Sequence, residues 1–326
     1  MRKIIVTGGA GFIGANLVEA LNDRGEDRII VVDHLREGIK WKNLLGLKFI
    51  DYLDRDEFLA LLEASKIKEV KAIFHLGACS NTTVQDFAYL YEYNYRYSKR
   101  LAEYAIVRGI PFIYASSAAT YGKGELGFSD SHEVIPKLKP LNPYGFSKQL
   151  FDLWLYHNNL LDCVVGLKYF NVFGEKEFHK GEMRSVVLKA YEQIKKTGKV
   201  KLFKSYHPDY PDGGQKRDFI YVKDAVEMTL FFYEHPEVKG IFNVGTGKAR
   251  TFKDLVEAVF AALNLTPNIE YIDMPENLKK QYQYFTQADI SKLKKAGYNK
   301  PITELEDAVK SYVTWLETQD TYEIFS

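Results

Sequence analysis

The 326-residue chain contains two cysteines, ten prolines and three tryptophans, and it carries no long apolar run, no internal repeat and no tract of one charge sign. Each shortage excludes something. Cys79 and Cys163 are too few for a disulfide scaffold and have neither metal-ligand spacing nor a resolving thiol nearby, so both read as small buried hydrophobes and no metal centre is expected. A formal net charge of +1, from 44 Lys and Arg against 43 Asp and Glu, gives no electrostatic case for nucleic acid. After Arg2 and Lys3 the apolar run Ile4-Ile5-Val6 gives way to glycines, far short of a secretory leader or a membrane span, so a cytoplasmic protein is expected.

What is present is the composition of an ordinary globular enzyme, 46% apolar, in a chain longer than one core usually supports. Short β-branched runs at 4–6, 29–33 and 72–75 alternate with helical patterns, and a stretch without Gly or Pro from 84 to 108 leads to a further apolar run at 112–115. That rhythm predicts an α/β fold with a Rossmann-type doubly wound parallel sheet. The expected division is a nucleotide-binding domain over 1–170, with returning segments near 217–247, and a smaller mixed α/β substrate lobe over 171–326. Runs at 163–169 and 240–244 read as strands returning to the first sheet, and helices are expected near 251–263 and 304–317. Ligands of such sheets lie beyond the carboxyl ends of the strands, so the residues just after Thr7, Asp33, His75 and Ala115 should line one crevice.

The first of these exits carries Gly8, Gly11 and Gly14 between a strand and a helix. Glycines at that spacing permit a tight turn and the close approach of a pyrophosphate to a helix N-terminus. Asp33, ending the second strand, is placed to meet an adenosine ribose, and a lone carboxylate there favours NAD. Arg36 and Lys40 suit a 2′-phosphate equally well, which keeps NADP open; as a bland alternative both lie on a solvated loop. Asp51 is expected near the third strand exit, as an adenine contact or a helix cap. Gly77 and Ala78 are small enough to let a cofactor pass, and Asn94, inside the long helix, either bonds backbone near the nicotinamide or faces solvent.

Ser117 ends another strand, and Tyr144 precedes Lys148 by one helical turn. This spacing puts phenol and ammonium on one face. A neighbouring ammonium favours phenolate, so Tyr144 is expected to have a lowered pKa and to serve as base toward a substrate hydroxyl held by Ser117, while Lys148 reaches the nicotinamide ribose. Tyr-x-x-x-Lys alone is weak in a chain with 23 tyrosines. The order of glycine turn, acidic strand end, serine strand end and Tyr144/Lys148 is what one hydride-transfer site needs.

With these motifs the chain resembles the extended short-chain dehydrogenase/reductase family of NAD-dependent epimerases and dehydratases over nearly its whole length. The segments 77–80, 114–122 and 169–172 carry the general resemblance. Those at 179–181, 216–219, 281–283 and 285–289 point to the branch acting on ADP-heptoses. The resemblance implies a C6 epimerase that interconverts ADP-D-glycero-D-manno-heptose and its L-glycero epimer for the lipopolysaccharide core. It implies bound NADP, transient oxidation to a 6-ketone and a homo-oligomer, such as a pentamer. It further implies Lys180 as a second proton-transfer group, which spacing alone would class as a solvated lysine. Cofactor contacts are implied at Phe12, Ile13, Asp33, His34, Lys40, Arg55, Leu76 and Asn94. Substrate contacts are implied at Asn171, Lys189, Phe203 and Tyr282, with Arg217 on the diphosphate. The chain departs from the branch's usual pattern at His34, Glu175, Glu182, Arg184 and Lys189.

Two other readings are kept. A UDP-hexose 4-epimerase shares the glycine turn, Ser117, Tyr144 and Lys148 but does not need Lys180. A non-catalytic cofactor-binding scaffold would share the fold alone.

Overall fold

A computed structural model describes residues 2–279 and 282–319. In chain order the first half comprises β1 (Lys3–Thr7), α1 (Phe12–Asp23), β2 (Ile29–Asp33), β3 (Asp51–Asp54), α2 (Arg55–Glu63) and β4 (Val70–His75). Then come α3 (Phe87–Leu90), a π-helical segment (Tyr91–Arg96), α4 (Tyr97–Val107), β5 (Phe112–Ser117), α5 (Pro143–His157) and β6 (Val165–Tyr169). The second half runs β7 (Asn171–Phe173), α6 (Val186–Thr197), β8 (Val200–Phe203), β9 (Lys216–Tyr221), α7 (Val222–Glu234), β10 (Gly240–Val244), β11 (Ala249–Thr251) and α8 (Phe252–Ala262). It ends with β12 (Ile269–Ile272), α9 (Glu276–Lys279), α10 (Ser291–Lys295) and α11 (Leu305–Leu316).

Seven strands form one parallel sheet in the order β10-β6-β5-β4-β1-β2-β3, the Rossmann-type architecture anticipated from the strand–helix rhythm. Its strands are apolar without alternation because both faces are covered. Successive side chains point to opposite faces, and the cores divide accordingly. Ile4, Val6, Val31 and Phe74 face a cluster with α1 and α7, whereas Ile5, Ile30, Val32 and Ile73 face one with α2, α4 and α5. Strands β6 and β10 both lie in this sheet, so the chain returns to it after leaving for the second half.

Two smaller sheets, β11-β9-β7 and β12-β8, are separate from it. Phe170 alone separates β6 from β7, so the inner sheet delivers its chain straight into the outer one. The 84–108 stretch is interrupted: its ordered helix starts at Phe87 and passes through the π segment. Asp51 does not reach a strand exit. It begins β3 and is exposed, whereas Asp54 ends that strand and caps α2 by accepting from Asp56 N. The expected burial of the cysteines also fails, Cys163 being exposed and Cys79 partly so. Among the described residues no helix is long and apolar enough to cross a membrane.

Candidate active site

The turn from β1 into α1 explains its own glycines. Gly8 has φ +68°, and a Cβ on Gly14 would come within 2.0 Å of the Gly8 carbonyl oxygen. A Cβ on Gly8 would meet the backbone of Gly77 at 2.6 Å, so the turn after β1 and the loop after β4 touch backbone to backbone. Gly11 is the N-cap of α1, with no side chain occupying that helix end. The result is a smooth, positively polarised channel floor suited to a pyrophosphate. Ile13 and Leu76 support it from the apolar side, packed against the core. Gly8, Asp33, Gly77 and Ala78 line one cleft beyond the strand ends.

At the far end of that cleft Asp33 is buried and fully engaged. Its carboxylate accepts from Ala10 N at 2.9 Å and His34 N at 2.7 Å, and it pairs with Lys40. His34 in turn lies 2.9 Å from Asp54. Arg55 stacks on Tyr93, its guanidinium 3.5 Å from the ring centroid, and Arg36 donates to the Tyr89 hydroxyl at 3.0 Å. His34, Arg36, Lys40 and Arg55 therefore line the cleft around Asp33, of which Lys40 pairs with its carboxylate, with Tyr89 and Tyr93 as neighbouring aromatic surface.

Ser117 ends β5, its hydroxyl beside the Tyr144 phenol and accepting from Ala119 N at 3.1 Å. Tyr144 lies in the first turn of α5, where Pro143 starts the helix and Asn142 caps it by accepting from Gly145 N at 2.7 Å. One turn on, the buried Lys148 ammonium donates to the Ala115 carbonyl at 2.8 Å. The anticipated lowering of the Tyr144 pKa does not occur in this arrangement. Burial is the dominant cause and pushes the phenol up, Ser117 only partly opposing it. Burial pushes Lys148 itself down to about 8, with Asp152 resisting. Asn94, buried in the π segment, grips Cys79 from both sides: Cys79 N donates to its Oδ1 at 2.8 Å and its Nδ2 donates to Cys79 O at 2.9 Å. The same amide reaches Ser147 at 2.9 Å, joining the loop after β4 to α5.

Lys180 sits in a short turn (Phe178–Met183) between β7 and α6. It is largely buried, so the solvated-lysine reading does not describe it. Its ammonium lies 4.7 Å from the centroid of Phe12, at the head of α1, and 3.7 Å from Glu177. Burial pushes its pKa down while Glu177 opposes. The neighbouring His179 meets Asn43, whose amide also donates to Ala10 O, so this turn is fastened to the glycine turn. Thr82 touches Met183, bringing it to the loop that holds Cys79.

The remaining sequence-derived positions are more dispersed. Asn171 opens β7, exposed and opposite Phe219. Arg217, on β9, is buried between the rings of Tyr282 and Phe252, 5.5 Å from each, and no carboxylate among the described residues pairs with it. Phe203 ends β8. Lys189 turns to Glu182, donating to its carbonyl at 2.6 Å. Gln281 lies outside the described residues.

Several supporting groups escaped the sequence reading. Asp152 is wholly buried and accepts from Tyr114, Ser116 and Lys168, and Lys168 donates on to Thr120, which bonds Ser117 O at 2.8 Å. A lysine inside the otherwise apolar strand 165–169 was the available signal. Glu177 and Asn43 had none.

Residues 4–245 match the NAD dependent epimerase/dehydratase family, and the chain belongs to that family. Within it, the chain is 55% identical over 310 residues to ADP-L-glycero-D-manno-heptose-6-epimerase of Nitratidesulfovibrio vulgaris (strain DP4), covering 95% of this chain and 96% of that one. The crystal structure of the Helicobacter pylori ADP-L-glycero-D-manno-heptose-6-epimerase superposes with a TM-score of 0.82 at 29% identity, covering 98% and 97% of the two chains. That of UDP-glucose 4-epimerase from Thermus thermophilus, in complex with NAD, gives 0.75 at 26%, covering 98% and 100%.

Proposed function

We propose that this chain inverts C6 of ADP-D-glycero-D-manno-heptose to give the L-glycero epimer, a precursor of lipopolysaccharide core heptose, with NADP on the Gly8–Gly14 turn. A nicotinamide held on that turn would supply reversible hydride transfer at C6 with no net redox. The chain itself moves the proton of the C6 hydroxyl. In one orientation Tyr144, steadied by Ser117, takes that proton as the ketone forms; in the other Lys180 gives one back as the carbinol re-forms. Burial pushes the Tyr144 phenol up and Ser117 only partly opposes it, so its deprotonation depends on cationic charge brought beside it.

The observation that carries this reading is the Lys180 ammonium, part-buried over the Phe12 ring at the glycine turn, where a second proton-transfer group would have to sit. A 4-epimerase working through Tyr144 alone has no use for it. The Arg217 guanidinium, which has no carboxylate partner among the described residues, suits the anion site a diphosphate needs. The engagement of Asp33 by Ala10, His34 and Lys40, with Arg36 and Arg55 close by, supports a 2′-phosphate and hence NADP.

Incubating the purified protein with either C6 epimer, and resolving both by chromatography, tests the function. Each epimer should relax to the same mixture without added cofactor being consumed. Conversion of UDP-glucose to UDP-galactose with neither heptose epimer changing would overturn it.

A further inference from the structure

Glu177 is a fully buried carboxylate outside the residues assigned so far. Its oxygens accept from Ser185 N and Ser185 Oγ, both at 2.6 Å, which fixes it at the N-cap of α6. Among the described residues the Lys180 ammonium is the one cation paired with it, at 3.7 Å, in the short turn that Glu177 leads into. We propose that Glu177 is the positioning residue for Lys180, its carboxylate anchored by α6 so that the ammonium is held over Phe12, within reach of the substrate's C6 oxygen. The proposal rests on Lys180 being the second proton-transfer group.

The geometry favours this over a purely structural role. Ser185 could cap α6 with its own hydroxyl, and does so by accepting from Leu188 N, so the helix does not need a second capping group. A carboxylate removed from water without an ionic partner is costly, and Lys180 is the partner that offsets it. The surroundings leave that pairing dominant. On α6, Lys189 opposes the Lys180 charge from its pairing with Glu182, and Glu192 is bound to Arg184. On α11, Tyr312 is kept neutral by burial beside Glu177. Burial, with Lys40 and Lys180 adding to it, drives His179 down to about 4, which leaves it uncharged.

The test is the pH profile of kcat for holoenzyme carrying Glu177→Gln. Loss of the carboxylate removes what holds Lys180 protonated, so the alkaline limb should move to lower pH and kcat at neutral pH fall about tenfold with KM little changed. Glu177→Asp, a shorter arm with the same charge, should restore most of the rate and shift the limb less. It also decides the matter if the Gln variant does not fold, because an unmoved limb in Glu177→Asp overturns the proposal. In a Lys180→Ala background, Glu177→Gln should cause no further loss. An unchanged profile in Glu177→Gln while Lys180→Ala abolishes turnover overturns the proposal and leaves the role of Lys180 standing. Wild-type turnover in Lys180→Ala overturns both.

Discussion

At the scale of single residues, burial sets the chemistry as much as neighbouring charge does. Tyr144 sits one turn from a lysine, yet burial raises the phenol, and the Lys148 ammonium points its bond at the Ala115 carbonyl. Replacing Tyr144 with Phe should lower turnover by about 10²- to 10⁴-fold and leave cofactor bound, read by absorbance of the purified protein. Lys148, brought down to about 8, holds its charge below that pH and loses it above. At the other end of the cleft, Lys40→Ala should weaken NADP roughly ten- to a hundredfold, the weight of a charge-assisted hydrogen bond, and change NAD far less. Equal losses for both cofactors in a fluorescence titration would argue against a 2′-phosphate at Lys40.

At the scale of elements, the functional groups are held by starts and interruptions of helices. Gly14 shows how little room there is: a methyl at that position collides with the Gly8 carbonyl, so Gly14→Ala should fold with its cofactor affinity lost, as judged by the absorbance spectrum after desalting. Strands β1, β2 and β5 and the glycine turn were legible in the sequence, because β-branched runs buried on both faces admit few other assignments. The π segment was not. Its extra residue per turn leaves no compositional mark, and it turns Asn94 inward onto the Cys79 backbone. Asp51 reads as a strand end because the chain from 45 to 50 looks apolar enough to start β3 early, whereas Asp54 holds that place. The burial of Lys180 was equally hidden, since it arises from contacts with Phe12 and Glu177, one of them far away in sequence.

At the scale of the whole molecule, one hydrophobic cluster runs from the sheet face under β1 and β4 through α7 into α6, α8 and α11. Because the two halves share that core, thermal unfolding should be a single transition, with far-UV and near-UV circular dichroism coincident and NADP raising Tm. Two resolved transitions would show that the halves are stable separately. Acid should also act from the middle of the sheet. His75, bonded to Thr7 and Ser98, is driven by burial to about 3, well below the ordinary 6.5. Between those values the unfolded chain binds a proton that the folded one refuses, so stability contributed by neutral His75 is present above about pH 6.5 and is lost as pH falls toward 3. Denaturant titrations across that range should show a smaller acid loss in His75→Gln than in the wild type.

The central claim is that a single hydride leaves C6 and comes back to the same carbon. It is tested most directly with ADP-D-glycero-D-manno-heptose carrying deuterium at C6, converted by the purified holoenzyme in ordinary water and read by mass spectrometry of the L-glycero product. Full retention of the label is the expected result; its replacement by solvent hydrogen would contradict hydride return and point instead to abstraction of the C6 hydrogen as a proton.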